Sequence, residues 1–243
     1  MALMRLDKYL CDLGLASRRE VKELIRAGRV TLDGETAAKP EQKLDPAHAR
    51  VTLDGRTLSY QRFHYYMMDK PEGVITATED RSQRTVLDLL PPELQRLGLF
   101  PVGRLDKDTS GLLLLTDDGD FAHRVTAPKS GVWKCYRAEV DGLCDESDAA
   151  AFREGLVLGD GTRCLPAELE ALGGGTCLVY VQEGKYHQVR RMLAARGKPV
   201  IKLRRLSIGA LALDERLGSG GLRPLEQDEL CTVFMGRKPK TTA

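Results

Sequence analysis

The chain has 243 residues, 42% of them hydrophobic, enough to bury one large core or two smaller ones. Lys and Arg total 37 against 35 Asp and Glu, so a net charge of +2 selects no partner by itself. No segment approaches the roughly 18 apolar residues of a membrane span, MALMRLDKYL lacks the apolar run of a signal peptide, and the six cysteines form no C-x-x-C pair. Together these argue against a disulfide scaffold, structural zinc and a membrane anchor, and for a reduced, cytoplasmic, soluble protein.

Taken in chain order, Leu6, Tyr9, Leu10 and Leu13 recur at helical spacing and Gly14 supplies a stop. Ser17 followed by Glu20 is a capping-box signature that starts a second helix, with Gly28 as its C-terminal cap. Arg18, Arg19, Lys22, Arg26 and Arg29 outweigh Glu20 and Glu23 there, while Val21, Leu24 and Ile25 fall on the opposite side, which makes an amphipathic basic helix. VTLDG then occurs at Val30–Gly34 and at Val51–Gly55, each an alternating strand ending in the Asp-Gly turn dipeptide. Residues 59–64 lack strong periodicity and read as a linker.

A helix, a basic SRRE helix and GRVTLDG, in that order, resemble the small RNA-binding module first known from ribosomal small-subunit protein four, over about residues 4–52. The resemblance implies that Arg18, Arg19, Lys22, Arg26 and Arg29 neutralise RNA phosphates, which supplies affinity without reading sequence. On the residues alone, a small α/β domain with a charged outer helix fits equally.

The remainder is mostly strand-like. YYMMDKPEGVITA, LLLLT, KCYRAEV, TCLVYVQEG and IKLRRLSIG show apolar runs or alternation between turn signals such as Asp118-Gly119 and Asp160-Gly161. Helices fit DFAHRVTA, SDAAAFREGL with Ser147 as cap, and HQVRRMLAARG, where Val189, Met192 and Leu193 form the inner face and Gly197 the end. Strands and helices do not alternate strictly, so a mixed α+β sheet is expected rather than a doubly wound one. From Gly184 to Leu213 run eight basic residues and no acidic one, a pattern that more often marks a solvated face.

GRLDKDTSGLLLLTDDGD, residues 103–120, carries the most chemistry. Asp106 and Asp108 have the D-x-D spacing of a magnesium-dependent aspartyl phosphatase, but that motif follows a hydrophobic strand and here the long strand comes after it. Asp108, Thr109 and Ser110 fit a turn whose backbone they satisfy. Arg104 and Asp106 share one face if the segment is extended, with Leu105 on the other, forming either a surface ion pair or a site.

The same stretch resembles the signature of pseudouridine synthases, in the branch of the ribosomal small subunit pseudouridine synthase A family. MMDKPEGV around Lys70 and Pro71, KCYRAEV around Tyr136 and EGKYHQVRRM at Glu183–Met192 match further landmarks in order, so the resemblance covers nearly the whole chain. It implies an α+β fold: a small N-terminal RNA-binding domain (1–58), the linker (59–64), a mixed, mainly antiparallel catalytic domain (65–236) and a basic tail (237–243). It also implies that Asp106 is the catalytic carboxylate, that Arg104 fills the gap left by a flipped nucleotide, and that Tyr136 stacks on the target base. Arg190 would pair with the carboxylate and Val189 would line the apolar part of the pocket. Isomerising uridine requires detaching the base, rotating it and rejoining it through carbon; this needs an extruded nucleotide and no metal or cofactor. Lys70 either shapes a loop or touches a phosphate, and His187 and His123, without partner spacing, are left out of the chemistry.

The implied partner is ribosomal RNA or an assembling small ribosomal subunit, met by a monomer. Tyr186-His187 resembles the small-subunit branch, where large-subunit relatives tend to have Asn-Arg, and favours 16S RNA; Arg190 departs from the lysine of some small-subunit relatives. Action on 23S RNA, an assembly factor with an idle pocket, and the phosphatase remain as alternatives.

Overall fold

The computed structural model describes residues 3–236, so the expected basic tail at 237–243 lies outside the described residues. The chain divides into two compact units. Among the described residues, one comprises 3–64 with 90–99, the other 65–89 with 100–236.

In the first unit, α1 (Leu6–Asp12) and α2 (Arg18–Arg26) precede two hairpins, β1 (Val30–Leu32) with β2 (Glu35–Thr36) and β3 (Val51–Leu53) with β4 (Arg56–Leu58). The capping box forms as read: the Ser17 side chain accepts from the Glu20 N–H, and Glu20 reaches back to the Ser17 N–H. The two VTLDG copies pair with each other antiparallel, Val30 opposite Leu53 and Leu32 opposite Val51. Each Asp-Gly dipeptide takes positive φ at both residues, Asp33 and Gly34 at 53° and 92° and Asp54 and Gly55 at 50° and 78°, the backbone that a tight hairpin demands. Leu6, Tyr9, Leu10, Val21, Ile25, Val30 and Val51 form the core of this unit.

The expected linker is not a free tether. Tyr60 stacks on Tyr9 with ring centroids 5.0 Å apart and donates its hydroxyl to Asp12 at 3.0 Å, so this stretch is packed into the first unit. The second expected domain is also not contiguous: residues 90–99, with the short helix α3 (Pro92–Gln95), belong to the first unit. Nothing local marks such an excursion, because its apolar residues read like any others.

The second unit is built on β5 (Tyr65–Lys70), β6 (Thr109–Thr116), β7 (Lys134–Val140), β8 (Glu168–Gly173), β9 (Thr176–Val181), β10 (Val200–Ile208) and β11 (Leu222–Pro224). They lie in the order β8-β9-β7-β10-β6-β5-β11, and only the β10–β6 pair is parallel. This is the mixed, mainly antiparallel α+β sheet expected. The helices are α4 (Gly119–Thr126), α5 (Glu146–Glu154), α6 (Gln188–Ala195) and α7 (Gln227–Thr232). One core gathers Ala138, Phe152, Val179, Met192 and Leu193; another gathers Met67, Leu112, Leu114, Phe121 and Ile208. The unbroken Leu112–Leu115 run fits a central strand buried on both faces.

Two local expectations need correction. Helix α5 is capped by Asp145 rather than Ser147: the Asp145 carboxylate accepts from the Ser147 and Asp148 N–H groups, and Asp148 returns the bond. A carboxylate two residues earlier offers the stronger acceptor, so the helix starts sooner. The basic stretch 184–213 is also not a solvated face. Arg190, Arg191, Arg196, Lys202 and Arg204 each meet a carboxylate from elsewhere in the chain, Lys185 meets the neighbouring Glu183, and Arg205 is 4% exposed.

Candidate active site

The site grows from the loop that leads into β6. Lys70 at the end of β5 is fully buried and donates from Nζ to the carbonyls of Pro71, Asp106 and Thr109 at 2.9, 3.1 and 2.9 Å. Burial pushes its pKa down to about 8, against the pull of the Asp108, Asp106 and Glu72 carboxylates. The Thr76 hydroxyl donates to the Leu105 carbonyl at 2.7 Å and accepts its N–H at 3.1 Å, while the Gly73 N–H reaches the Lys107 carbonyl at 2.8 Å. The segment 70–76 is therefore a cradle for residues 105–109, and Lys70 shapes a loop.

Where the loop enters the sheet, Gly111 has φ +102°, and a Cβ there would lie 2.2 Å from the Arg205 carbonyl oxygen on the parallel neighbour β10. Only glycine lets these two strands approach. The turn before it is closed by the Thr109 N–H on the Asp106 carbonyl at 3.1 Å, and Thr109 and Ser110 already belong to β6. Neither one satisfies the turn with its side chain as expected; the Thr109 hydroxyl is buried without a partner.

Beside this loop lies a cleft of about 70 Å³ whose lining includes Arg104, Asp106, Thr109, Tyr136, Val189 and Leu203 together with Glu183, Lys185, His187 and Gln188. Three separate chain segments thus bring Arg104 and Asp106, Tyr136, and Val189 together. Leu105, between the two polar residues, is buried. Tyr136 on β7 sits next to a β-bulge that sets it opposite Arg205, whose guanidinium donates to the tyrosine hydroxyl at 3.4 Å and to the Leu112 carbonyl at 2.7 Å. The ring is half-buried with a buried cation behind it. Such an aromatic can hold a planar base in more than one orientation, because stacking tolerates rotation.

Arg190 does not pair with Asp106. Its Nη2 lies 3.0 Å from both the carboxylate and the carbonyl of Asp108, and its Nη1 donates to the Val200 carbonyl at 3.4 Å. The reason is helical geometry: Val189 faces the cleft, so the next residue on α6 is turned aside, toward the far end of the loop. Asp108, held there, does not line the cleft, which leaves the D-x-D pair facing two different directions and removes the basis for the phosphatase reading.

His187, set aside on sequence, is the group that meets Asp106: its Nε2 is 3.4 Å from Oδ1, with the two side chains 38% and 31% exposed. It sits just ahead of α6 with φ 47°, a left-handed backbone that no local pattern announced. The contact spans 81 positions of the chain, beyond the reach of any spacing rule.

In the first unit, Arg18, Arg19, Lys22 and Arg26 are exposed along α2. Arg29 lies beyond the helix end and is clamped by the Asp54 carboxylate through two bonds of 2.8 and 2.6 Å, so it braces the hairpins instead of extending the basic face. The side-chain bond to Asp54 raises its pKa further.

A family model for RNA pseudouridylate synthases matches residues 64–195, and one for the S4 domain matches residues 4–51. The chain belongs to the RNA pseudouridylate synthase family, with an S4 domain ahead of the catalytic region. An uncharacterized RNA pseudouridine synthase of Bacillus subtilis (strain 168), YtzG, is 44% identical over 231 residues, covering 93% of this chain and 97% of its own. Ribosomal small subunit pseudouridine synthase A of Vibrio cholerae is 41% identical, and that of Escherichia coli (strain K12) 38%, each over 95% of this chain and 100% of the relative. A crystal structure of a pseudouridylate synthase superposes with a TM-score of 0.67 at 34% identity, covering 95% of this chain and 99% of that one.

Proposed function

We propose that the protein converts one uridine of 16S ribosomal RNA to pseudouridine, with Asp106 as the catalytic carboxylate. The observation that carries this reading is the cleft that collects Asp106, Arg104, Tyr136 and Val189 from three chain segments. The target nucleotide leaves its stack and enters the cleft, where Tyr136 stacks on the base, Val189 and Leu203 form apolar walls, and Arg104, exposed at the rim, takes the vacated position in the RNA. Asp106 then attacks the ribose or the ring, or abstracts a proton, while the base is freed, turned and rejoined through carbon.

Arg190 acts as a positioning residue, holding the Asp106 loop through Asp108. The S4 domain anchors the substrate, with Arg18, Arg19, Lys22 and Arg26 on phosphates. The protein works as a cytoplasmic monomer on ribosomal RNA or an assembling small subunit, without metal or cofactor. The choice of 16S RNA is supported by the full-length likeness to relatives named ribosomal small subunit pseudouridine synthase A.

The test is pseudouridine mapping of ribosomal RNA by carbodiimide modification and primer extension, in cells with and without the gene. One lost site in 16S RNA is expected. A lost site in 23S RNA would overturn the target, and no lost site would favour an idle pocket.

A further inference from the structure

Tyr186 is 76% exposed at the edge of the cleft, and its ring stacks on His187 with centroids 3.9 Å apart and planes 17° from parallel. His187 lines the cleft and reaches Asp106. The order from solvent inward is therefore Tyr186, His187, Asp106: two parallel rings on a path that ends at the proposed catalytic carboxylate.

This arrangement is held against its own preferences. Leaving a large aromatic in water forfeits the free energy of burying it. A left-handed backbone at a residue with a Cβ, as at His187, persists only where the surroundings impose it. Here they do: the buried Glu183 carboxylate accepts the Leu165 N–H and the Gln188 amide, both at 2.8 Å, and Gln188 in turn accepts the Lys185 N–H at 2.9 Å. The loop is thus tied on both sides of Tyr186.

We infer that the outer face of Tyr186 is a stacking platform for the nucleobase immediately next to the target uridine. The chemistry selects a base over a phosphate, since what is presented is a flat ring face backed by a second ring. Position selects the neighbour: on the proposed reading the cleft takes the target uridine, and the platform adjoins it, so the next base along the strand arrives there when the target is extruded. This rests on reading the cleft as the uridine site.

The test uses the full-length protein and a stem-loop transcript carrying the mapped uridine, alongside two versions with an abasic ribose at the 5′ or the 3′ neighbour. Dissociation constants are measured by fluorescence anisotropy for wild type, Tyr186→Phe and Tyr186→Leu. On intact RNA, Tyr186→Leu is expected to weaken binding roughly 5- to 150-fold, and Tyr186→Phe to retain it. One of the abasic RNAs should weaken wild-type binding by a similar factor, and on that RNA Tyr186→Leu should cost nothing more. An unchanged constant for Tyr186→Leu, or losses that multiply on both abasic RNAs, would overturn the platform. Wild-type conversion of the same intact RNA tests the cleft reading separately, so a failure there is distinguishable from a failure of the binding cycle.

Discussion

Replacing Lys70 by methionine sets two large effects against each other. A charge whose pKa has fallen from 10.5 to about 8 carries about 3 kcal/mol of burial cost at neutral pH, which methionine removes. Methionine also strips the donor from one buried and two partly buried carbonyls, at about 1–3 kcal/mol each. The carbonyls win: at pH 7 the variant should lose about 3 kcal/mol, a fall in Tm on the order of 10 °C for a unit of this size. Trp133, the only tryptophan, lies in the same unit and reports its unfolding by fluorescence. Between pH 8 and pH 10.5 the unfolded chain holds the Lys70 proton and the folded chain does not, so raising the pH stabilises wild type relative to the variant. The gap should therefore widen, by up to about 3 kcal/mol, across that window. Because the same ammonium pins the Asp106 loop, turnover should drop on the order of 100-fold. A variant as stable as wild type at pH 7, a gap that narrows as pH rises, or undiminished turnover would each refute the account.

Asp106→Asn, which keeps the shape and removes the charge, should abolish pseudouridine formation while leaving RNA affinity unchanged in a filter-binding assay; parallel loss of both would mark Asp106 as structural. Replacing Arg18, Arg19 and Lys22 together by alanine should weaken binding and lower the slope of log affinity against log salt by about 0.7–0.9 for each phosphate left without its cation, with single-turnover conversion at saturating protein preserved. Gly111→Ala must place a Cβ 2.2 Å from the Arg205 carbonyl in a backbone with φ +102°; a loss above about 3 kcal/mol in denaturant titration is expected, and a mild effect would show that β6 and β10 can separate. Lys134, whose pKa burial likewise pushes down to about 8, has one weak bond, to the Gln182 carbonyl at 3.3 Å. Lys134→Met should therefore raise Tm at pH 7, with the gain fading as pH rises toward 10.5.

Much of what depends on near neighbours in the chain was legible from the amino acids, although the cap of α5 fell to Asp145 instead of Ser147. The Ser17–Glu20 box, the paired Asp-Gly turns, the Leu112–Leu115 strand and the inner face Val189, Met192 and Leu193 are set by periodicity and by hydrogen bonds spanning a few residues. Motif likeness also placed Asp106, Arg104, Tyr136 and Val189 in one site, though nothing in their spacing says that the three segments carrying them converge. What the tertiary structure alone decided are the partners. Lys70 meets carbonyls 36 and 39 residues away, Arg190 meets Asp108 across 82 rather than Asp106, and Arg29 closes on Asp54. His187 joins the site only because a braced loop turns it there. A charge or a ring in a sequence carries no direction; strand order and helix phase assign one, and they are properties of the packed chain.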